Sequence, residues 1–304
     1  MRRVVVLGGY GAVGREVVAG LRGHVPELVV AGRDPAGARP VDGAVPMRID
    51  LRTGDLGRID ADAVVMCAEV DNARVAEACL ARGVHYVDVS ASYEMVAPIE
   101  RLDGLAAARN ASAVLSVGLA PGVTNLLARE FGGADVDIGV LLGAGERHGP
   151  SAVEWTLASL GDLGESWRMR FPEPFGTRTV HRFPFSDQRT LPGRVRTGLA
   201  LDSRVLTALL PRLAPFRGAA ALRAAFRHVH AGGDRFAVVA ASGGAVRSFS
   251  GRRQSRATGL AAALAVQRLA ETPPGVRHLH DAAGPDFLAE LAAQGFRLGH
   301  YDAG

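Results

Sequence analysis

The chain opens on Val4-Val5-Val6-Leu7, an unbroken apolar run that stops at Gly8, and then places Val13, Val17, Val18 and Leu21 at the spacing of one helical face. An uninterrupted β-branched run predicts a strand buried on both faces, and the spacing after it predicts a helix with one apolar stripe. The alternation continues. Strands are expected at Leu28 to Gly32, Val45 to Asp50, Ala63 to Cys67, His85 to Ser90 and Ala113 to Val117. Helices are expected at Ala73 to Gly83 and from about Tyr93 to Asn110. Short apolar strands alternating with helices predict a parallel sheet, doubly wound.

The pattern changes at Asp135. Val136, Ile138, Val140 and Leu142 alternate with other residues, which predicts an antiparallel strand, and Arg178 to Phe185, Arg235 to Val239 and Ala245 to Phe249 read likewise. Helices are expected at Ser151 to Leu160, Ser203 to Leu213 and Ala219 to Arg227, and Pro- and Gly-rich loops at Arg168 to Gly176 and Phe183 to Gly193. An apolar helix at Thr258 to Ala270, followed by another at Pro285 to Gln294, is expected to return to the first domain. The predicted fold is α/β. A Rossmann-type doubly wound parallel sheet, residues 1–125 completed by about 253–304, carries an inserted α+β domain over about 126–252.

Composition narrows the function classes. With 48% hydrophobic and 22% charged residues in 304, the chain is a folded protein of two ordinary domains. Its 35 basic residues are all arginine. Without lysine there is no Walker-type phosphate loop, no pyridoxal Schiff base and no Tyr-x-x-x-Lys couple. The arginines are scattered apart from Arg252, Arg253 and Arg256, so no nucleic-acid partner is expected. No apolar run approaches the ~18 residues of a membrane helix, and the start does not continue as a signal peptide, so a cytoplasmic protein without membrane contact is expected. Cys67 and Cys79 are expected to be buried apolar residues rather than a disulfide or metal pair.

Gly9-x-Gly11-x-x-Gly14, between the first strand and first helix, is the pattern that cradles a dinucleotide. Gly9 is expected to allow a tight turn, Gly11 the approach of a pyrophosphate, and Gly14 close packing of helix on strand, with the anion at the helix N-terminus. Gly8, Tyr10, Ala12 and Val13 complete the predicted cradle. An acidic residue about 20 positions on would bind the ribose of NAD. This chain has Gly32-Arg33 there, which favours a 2′-phosphate and hence NADP(H), and Asp34 is read as a turn residue before Pro35. Asp50 and Leu51, at the end of the third strand, are expected near the adenine.

Carboxyl ends of parallel strands line one crevice, so the groups there are the candidate site. They are Ala68, Glu69, Asp71 and Asn72 after the fourth strand, Asp88, Ser90 and Ser92 at the fifth, and Leu119 to Asn125, with Gly122, after the sixth. Gly9 to Gly14, His85-Tyr86-Val87-Asp88-Val89-Ser90 and Gly118 to Leu126, in this order, resemble the saccharopine dehydrogenase family of NADP-dependent reductases. The resemblance continues more weakly in Gly145 to Leu157, Gln254 to Gly259 and the stretches near the end. Two positions depart from it: Glu69-Val70-Asp71 replaces a Gly-Pro-aromatic turn, and Val117 stands where a cysteine is common. The resemblance implies reduction of an imine C=N to a secondary amine, or the reverse, on a small-molecule substrate, and a homodimer formed through the second domain.

Within that reading Asp71, with Glu69 beside it, is the candidate to stabilise a cationic iminium, and Asp88 the candidate to organise the pocket. The plain alternatives are solvated loop carboxylates and a turn cap. His148, in Gly145-Glu146-Arg147-His148-Gly149-Pro150, is either a substrate-domain group or an exposed loop histidine. Reduction of C=O or C=C would need a proton donor, for which Tyr10, Tyr93 and His148 are available. A non-catalytic NADP sensor or scaffold is the reading from another class. His278 and His280 are expected on one face of a strand, without a third ligand for a metal.

Overall fold

Val4, Val5, Val6 and Leu7 are all fully buried, as a strand with neighbours on both edges and helices on both faces must be. In the computed structural model, which describes residues 1–146, 150–216, 218 and 232–302, two compact units are present. The first comprises Met1–Gly118 and Thr258–Phe287, the second Leu119–Ala257 and Leu288–Gly304.

The first unit is built on β1 (Arg3–Leu7), β2 (Glu27–Gly32), β3 (Val45–Arg48), β4 (Ala63–Met66), β5 (His85–Asp88) and β6 (Ser112–Leu115), joined late in the chain by β13 (Gly275–His278). Their order is β13-β6-β5-β4-β1-β2-β3, and every pairing is parallel. The chain walks one way from β1 to β3, then returns to β4 on the other side of β1. That reversal leaves a crevice at the carboxyl ends of β1 and β4, where such sheets take ligands. α1 (Ala12–Leu21) follows β1, and α2 (Asn72–Leu80) follows β4. The single helix expected over residues 93–110 is two, α3 (Tyr93–Glu100) and α4 (Asp103–Ala108), with Pro98 inside the first. A proline supplies no N–H to the helical ladder, so the periodic pattern outlasts the hydrogen bonding.

Small residues bring the helix Gln254–Gln267 onto α1. A Cβ on Gly259 would lie 2.4 Å from Cβ of Glu16, and one on Gly20 would lie 2.7 Å from Cβ of Ala263. Neither distance is one that packed carbons tolerate, so these glycines set how closely the two helices approach.

The second unit holds β7 (Val136–Leu142), β8 (Ser166–Arg170), β9 (Thr177–Arg182), β10 (Val195–Leu201), β11 (Arg235–Ser242), β12 (Ala245–Arg252) and β14 (Arg297–Asp302). Their order is β14-β12-β11-β7-β10-β9-β8, and the β7–β10 pair is parallel while the others are antiparallel. Its helices are α5 (Thr124–Arg129), α6 (Pro150–Ser159), the single turn α7 (Asp187–Thr190) and α8 (Arg204–Leu213). α9 (Gln254–Gln267) leads back into the first unit, and α10 (Leu279–Ala282) and α11 (Phe287–Ala293) follow β13.

Several expectations differ from this arrangement. β8 lies in a stretch expected to be a loop, because three charged or polar residues alternate with Trp167 and Met169 on an edge strand. β10 and β14 were not expected, and β14 pairs with β12, whereas residues 253–304 were expected with the first domain. Local pattern does not encode which distant strand a segment pairs with. β7 and β11 each have neighbours on both sides, and the edges are β8 and β14. His280 is not on a strand with His278: β13 ends at His278 and His280 lies in α10. The helix expected at Ala219 to Arg227 lies outside the described residues. Among the described residues no helix is long and apolar enough to cross a membrane.

Candidate functional site

The turn leaving β1 is shaped by what its glycines lack. Gly8 takes φ +73, a conformation that favours glycine, and its carbonyl accepts the Gly11 N–H at 3.0 Å. Gly8, rather than the expected Gly9, is therefore the residue with left-handed backbone. Gly9 is small for another reason, since a Cβ there would lie 2.4 Å from Cγ2 of Val30 and 2.9 Å from the Val6 carbonyl. A Cβ on Gly14 would lie 2.5 Å from Cα of Gly9. Gly11 differs: the one neighbour near its Cβ direction is the Gly8 carbonyl at 3.3 Å, so this side of the turn is open.

Gly11 caps α1 without a side-chain hydrogen bond, and the first turn holds no acidic residue. The N–H groups of Ala12 and Val13 and the positive end of the helix dipole thus face no competing side chain. A pyrophosphate fits that cradle. Tyr10 lays its ring over Gly32, where a Cβ would lie 2.9 Å from Cδ2. Arg15 donates to the Tyr10 carbonyl at 3.1 Å and to the carbonyls of Arg39 and Pro40, tying the glycine turn to the loop after β2.

Arg33 and Asp34 are both exposed. Asp34 accepts the Gly37 N–H at 3.1 Å, closing a local turn, while no hydrogen bond or ion pair engages Arg33 among the described residues. At the end of β3, Asp50 accepts the Arg52 N–H at 3.0 Å and the Leu51 carbonyl accepts from Arg74. A cavity of about 450 Å³ beside them is bounded by Arg48, Asp50, Asp55 and Arg58.

A buried network joins the turns after β4 and β5. Asp88 is fully buried, and its carboxylate accepts from the Tyr86 hydroxyl at 2.7 Å, the Ser90 N–H at 2.7 Å and the Asn72 amide at 3.1 Å. The Asn72 amide also donates to the Ser90 hydroxyl at 3.0 Å, and its carbonyl oxygen accepts the Val70 N–H at 3.1 Å. Burial raises the Asp88 carboxyl above the usual range, and these donors oppose that shift. Tyr86 carries no role in the sequence pattern, and Asn72 enters there only as one of the crevice groups. The signal for them was a carboxylate inside an apolar strand, which obliges other buried groups to meet it.

The two loop carboxylates part company. Asp71 is exposed and caps α2, accepting the Arg74 N–H at 3.1 Å. Glu69, after Ala68, is half-buried, and its carboxyl is raised first by desolvation and then by the charge of Asp88. Asp71 is thus held by a structural hydrogen bond, while Glu69 is the group whose protonation the surroundings alter. His148 lies outside the described residues.

Residues 4–114 match the family model for the saccharopine dehydrogenase NADP binding domain. This stretch is similar to the NADP-binding domain of that family. It is the cofactor domain of an oxidoreductase, and its parallel sheet is the α/β architecture expected. Among solved structures, a mutant meso-dapdh of Clostridium tetani E88, solved with DAP, is 14% identical with a TM-score of 0.50, over 97% of this chain and 99% of that one. A dihydrodipicolinate reductase from Paenisporosarcina sp. TG-14, with dipicolinate bound, is 14% identical with a TM-score of 0.48, over 93% of this chain and 100% of that one. A putative myo-inositol dehydrogenase from Sinorhizobium meliloti 1021 is 12% identical with a TM-score of 0.47, over the whole of both chains. At such identities the likeness is one of fold. No curated protein sequence matches the chain.

The first unit carries a second polar chain at the ends of β6 and β13. Ser116 has φ +56, which is uncommon for a residue with a side chain, and its hydroxyl lies 2.9 Å from Nδ1 of His278. Nε2 of His278 lies 3.1 Å from Glu100, whose other oxygen accepts the Tyr93 hydroxyl at 3.3 Å. His278 is engaged here rather than with His280, whose ring merely stacks on it at 5.6 Å. Both thiols are pushed up by burial, Cys79 to about 12 and Cys67 further with Asp88 contributing, which leaves them unreactive. In the second unit, the turn before α5 has Gly122 at φ +123 with its N–H donated to Asn125 at 2.8 Å.

Proposed function

We propose that the chain is an NADPH-dependent oxidoreductase that reduces an imine C=N bond of a small molecule to a secondary amine, or runs the reverse. The observation that carries the cofactor part is the open Gly11 side of the turn at an α1 N-terminus free of side-chain caps. Arg33, exposed and without a hydrogen bond or ion pair among the described residues, stands where an acidic residue would serve NAD and supports NADPH over NADH. Gly8 to Gly14 and Gly32 with Arg33 would hold the phosphates, Asp50 and Leu51 would border the adenine, and Ala68 and Ser90 would border the nicotinamide.

The bound cofactor would supply the hydride. Of the carboxylates near the end of β4, Glu69 is the better group to meet a cationic iminium, because Asp71 already caps a helix. Such a charge is stabilised by a carboxylate held where water is scarce. Asp88 would act through Asn72 and Ser90 by fixing the turn on which Glu69 sits.

The chain Tyr93, Glu100, His278, Ser116 favours a second reading, reduction of a C=O or C=C bond, since that chemistry needs a proton from the protein. Incubation with NADPH and paired amines and carbonyls, followed by mass analysis, separates the two. Secondary amine formed only when both partners are present supports the first reading. NADPH consumption by the carbonyl alone, yielding alcohol, replaces it with the second, and binding of NADPH without turnover on either panel replaces it with a sensor. A cytoplasmic homodimer is the proposed state, and light scattering that returned 31.8 kDa, the mass of one chain, would exclude the dimer.

A further inference from the structure

The second unit buries polar atoms that the redox reading does not use. Asp187, the first residue of α7, has no exposed surface, and neither of its carboxylate oxygens has a hydrogen-bond partner. The hydroxyls of Thr124, the first residue of α5, and of Ser186 are likewise buried without a partner. Their neighbours, by contrast, are satisfied. Asn125 accepts the Gly122 N–H at 2.8 Å and donates to the Thr190 hydroxyl at 3.1 Å, which binds the start of α5 to the end of α7.

Burial pushes the Asp187 carboxyl up to about 6, opposed by the nearby Thr124 hydroxyl and by its own backbone N–H, although neither makes a hydrogen bond of ordinary geometry. No arginine contributes to that balance. A carboxylate ionised at neutral pH and removed from water is unfavourable unless hydrogen-bond donors, as at Asp88, or a positive charge replace the water. A water molecule would meet the hydrogen-bonding needs and leave the charge uncompensated.

The ligand's charge follows from the donor set. Calcium sites gather several carboxylates, whereas one carboxylate with hydroxyl oxygens balances a single positive charge. Among the described residues no group of three or more His, Cys, Asp or Glu could hold a metal ion. We propose that Asp187, with the hydroxyls of Thr124 and Ser186, binds a compact monovalent cation, a sodium, potassium or ammonium ion, at the junction of α5 and α7. The ion would fix the start of α5, and with it the turn at Gly122, independently of what the protein reduces.

Thermal unfolding of the full chain at pH 7.5 tests this, with sodium, potassium or ammonium chloride replacing tetramethylammonium chloride at constant ionic strength. At about 100 times its Kd, at least one ion should raise Tm by about 5 °C. Asp187→Asn should abolish the response, and Thr124→Val should at least halve it. A response to ammonium alone would assign the site to a nitrogen ligand rather than a metal ion. The same Tm in all four salts would overturn the proposal, as would an undiminished response in the variants. Should Asp187→Asn fail to fold, Thr124→Val and line broadening of ²³Na, ³⁹K or ¹⁵N-ammonium resonances by wild-type protein decide the matter.

Discussion

Asp88 and Asp187 are both fully buried carboxylates, both at the edge of a regular element, and both raised above their ordinary range by desolvation. Their surroundings differ. Asp88 ends a strand in the first unit and receives hydrogen bonds from Tyr86, Ser90 and Asn72, so its burial knits two turns together. Asp187 begins a four-residue helix in the second unit and receives none. Equal burial therefore has opposite consequences: a satisfied carboxylate is part of the framework, and an unsatisfied one is a cost the fold carries for something else.

The largest effect should come from breaking the satisfied member. Asp88→Leu removes the shared acceptor of three buried donors and should destabilise the protein by about 3–5 kcal/mol, read by urea unfolding. A loss under about 1 kcal/mol would show that the network is incidental. Next is the neighbour whose protonation Asp88 alters. Glu69→Gln should lower kcat and kcat/KM together by about 10²- to 10³-fold on an identified substrate with NADPH affinity unchanged, whereas Asp71→Asn should leave both nearly intact. Equal losses in the two variants would return Asp71 to the site.

The unsatisfied member should respond with the reverse sign. A carboxyl near 6 in the folded state, against about 3.9 unfolded, binds its proton more tightly when folded. Stability is then lost as pH rises from about 4 to 6, and at pH 7 the cost is about 3 kcal/mol, order of magnitude. In tetramethylammonium buffer, Asp187→Asn should thus be more stable than wild type at pH 7, by up to that amount, and equal to it at pH 4. A variant less stable at pH 7 would mean that the carboxylate has partners after all.

The smallest effect belongs to an exposed charge. Wild type should bind NADPH at least ten-fold more tightly than NADH, about 1.4 kcal/mol, and Arg33→Ala should erase the difference. Equal affinities in wild type would make Asp34 the ribose ligand.

Much of the first unit was legible from local pattern. The Val4 to Leu7 run, the glycines after it and the helical spacing from Val13 to Leu21 specify strand, turn and helix with neighbours close in the chain, so β1 and α1 follow without tertiary information. Asp88 stood out for the same reason, as a charge in an apolar run. The roles of individual glycines were less legible: φ at Gly8 and the contact of Gly9 with Val30 depend on β2, which lies 20 residues away.

The second unit was legible only in part, because its pairings are long-range. β14 reaches back to β12, and β8 and β9, which lie between β7 and β10 in the chain, lie beyond β10 in the sheet. Asp187 sat in a segment that read as a Pro- and Gly-rich loop, where a carboxylate is normally solvated. By itself, then, the sequence determined an NADP-type cradle on a parallel sheet, since strand, glycine turn and helix are contiguous. Tertiary structure alone decided which carboxylates are paired, capped or stranded. Hydrogen-bond partners and the loss of water come from residues far apart in the chain, and no local pattern specifies how they meet.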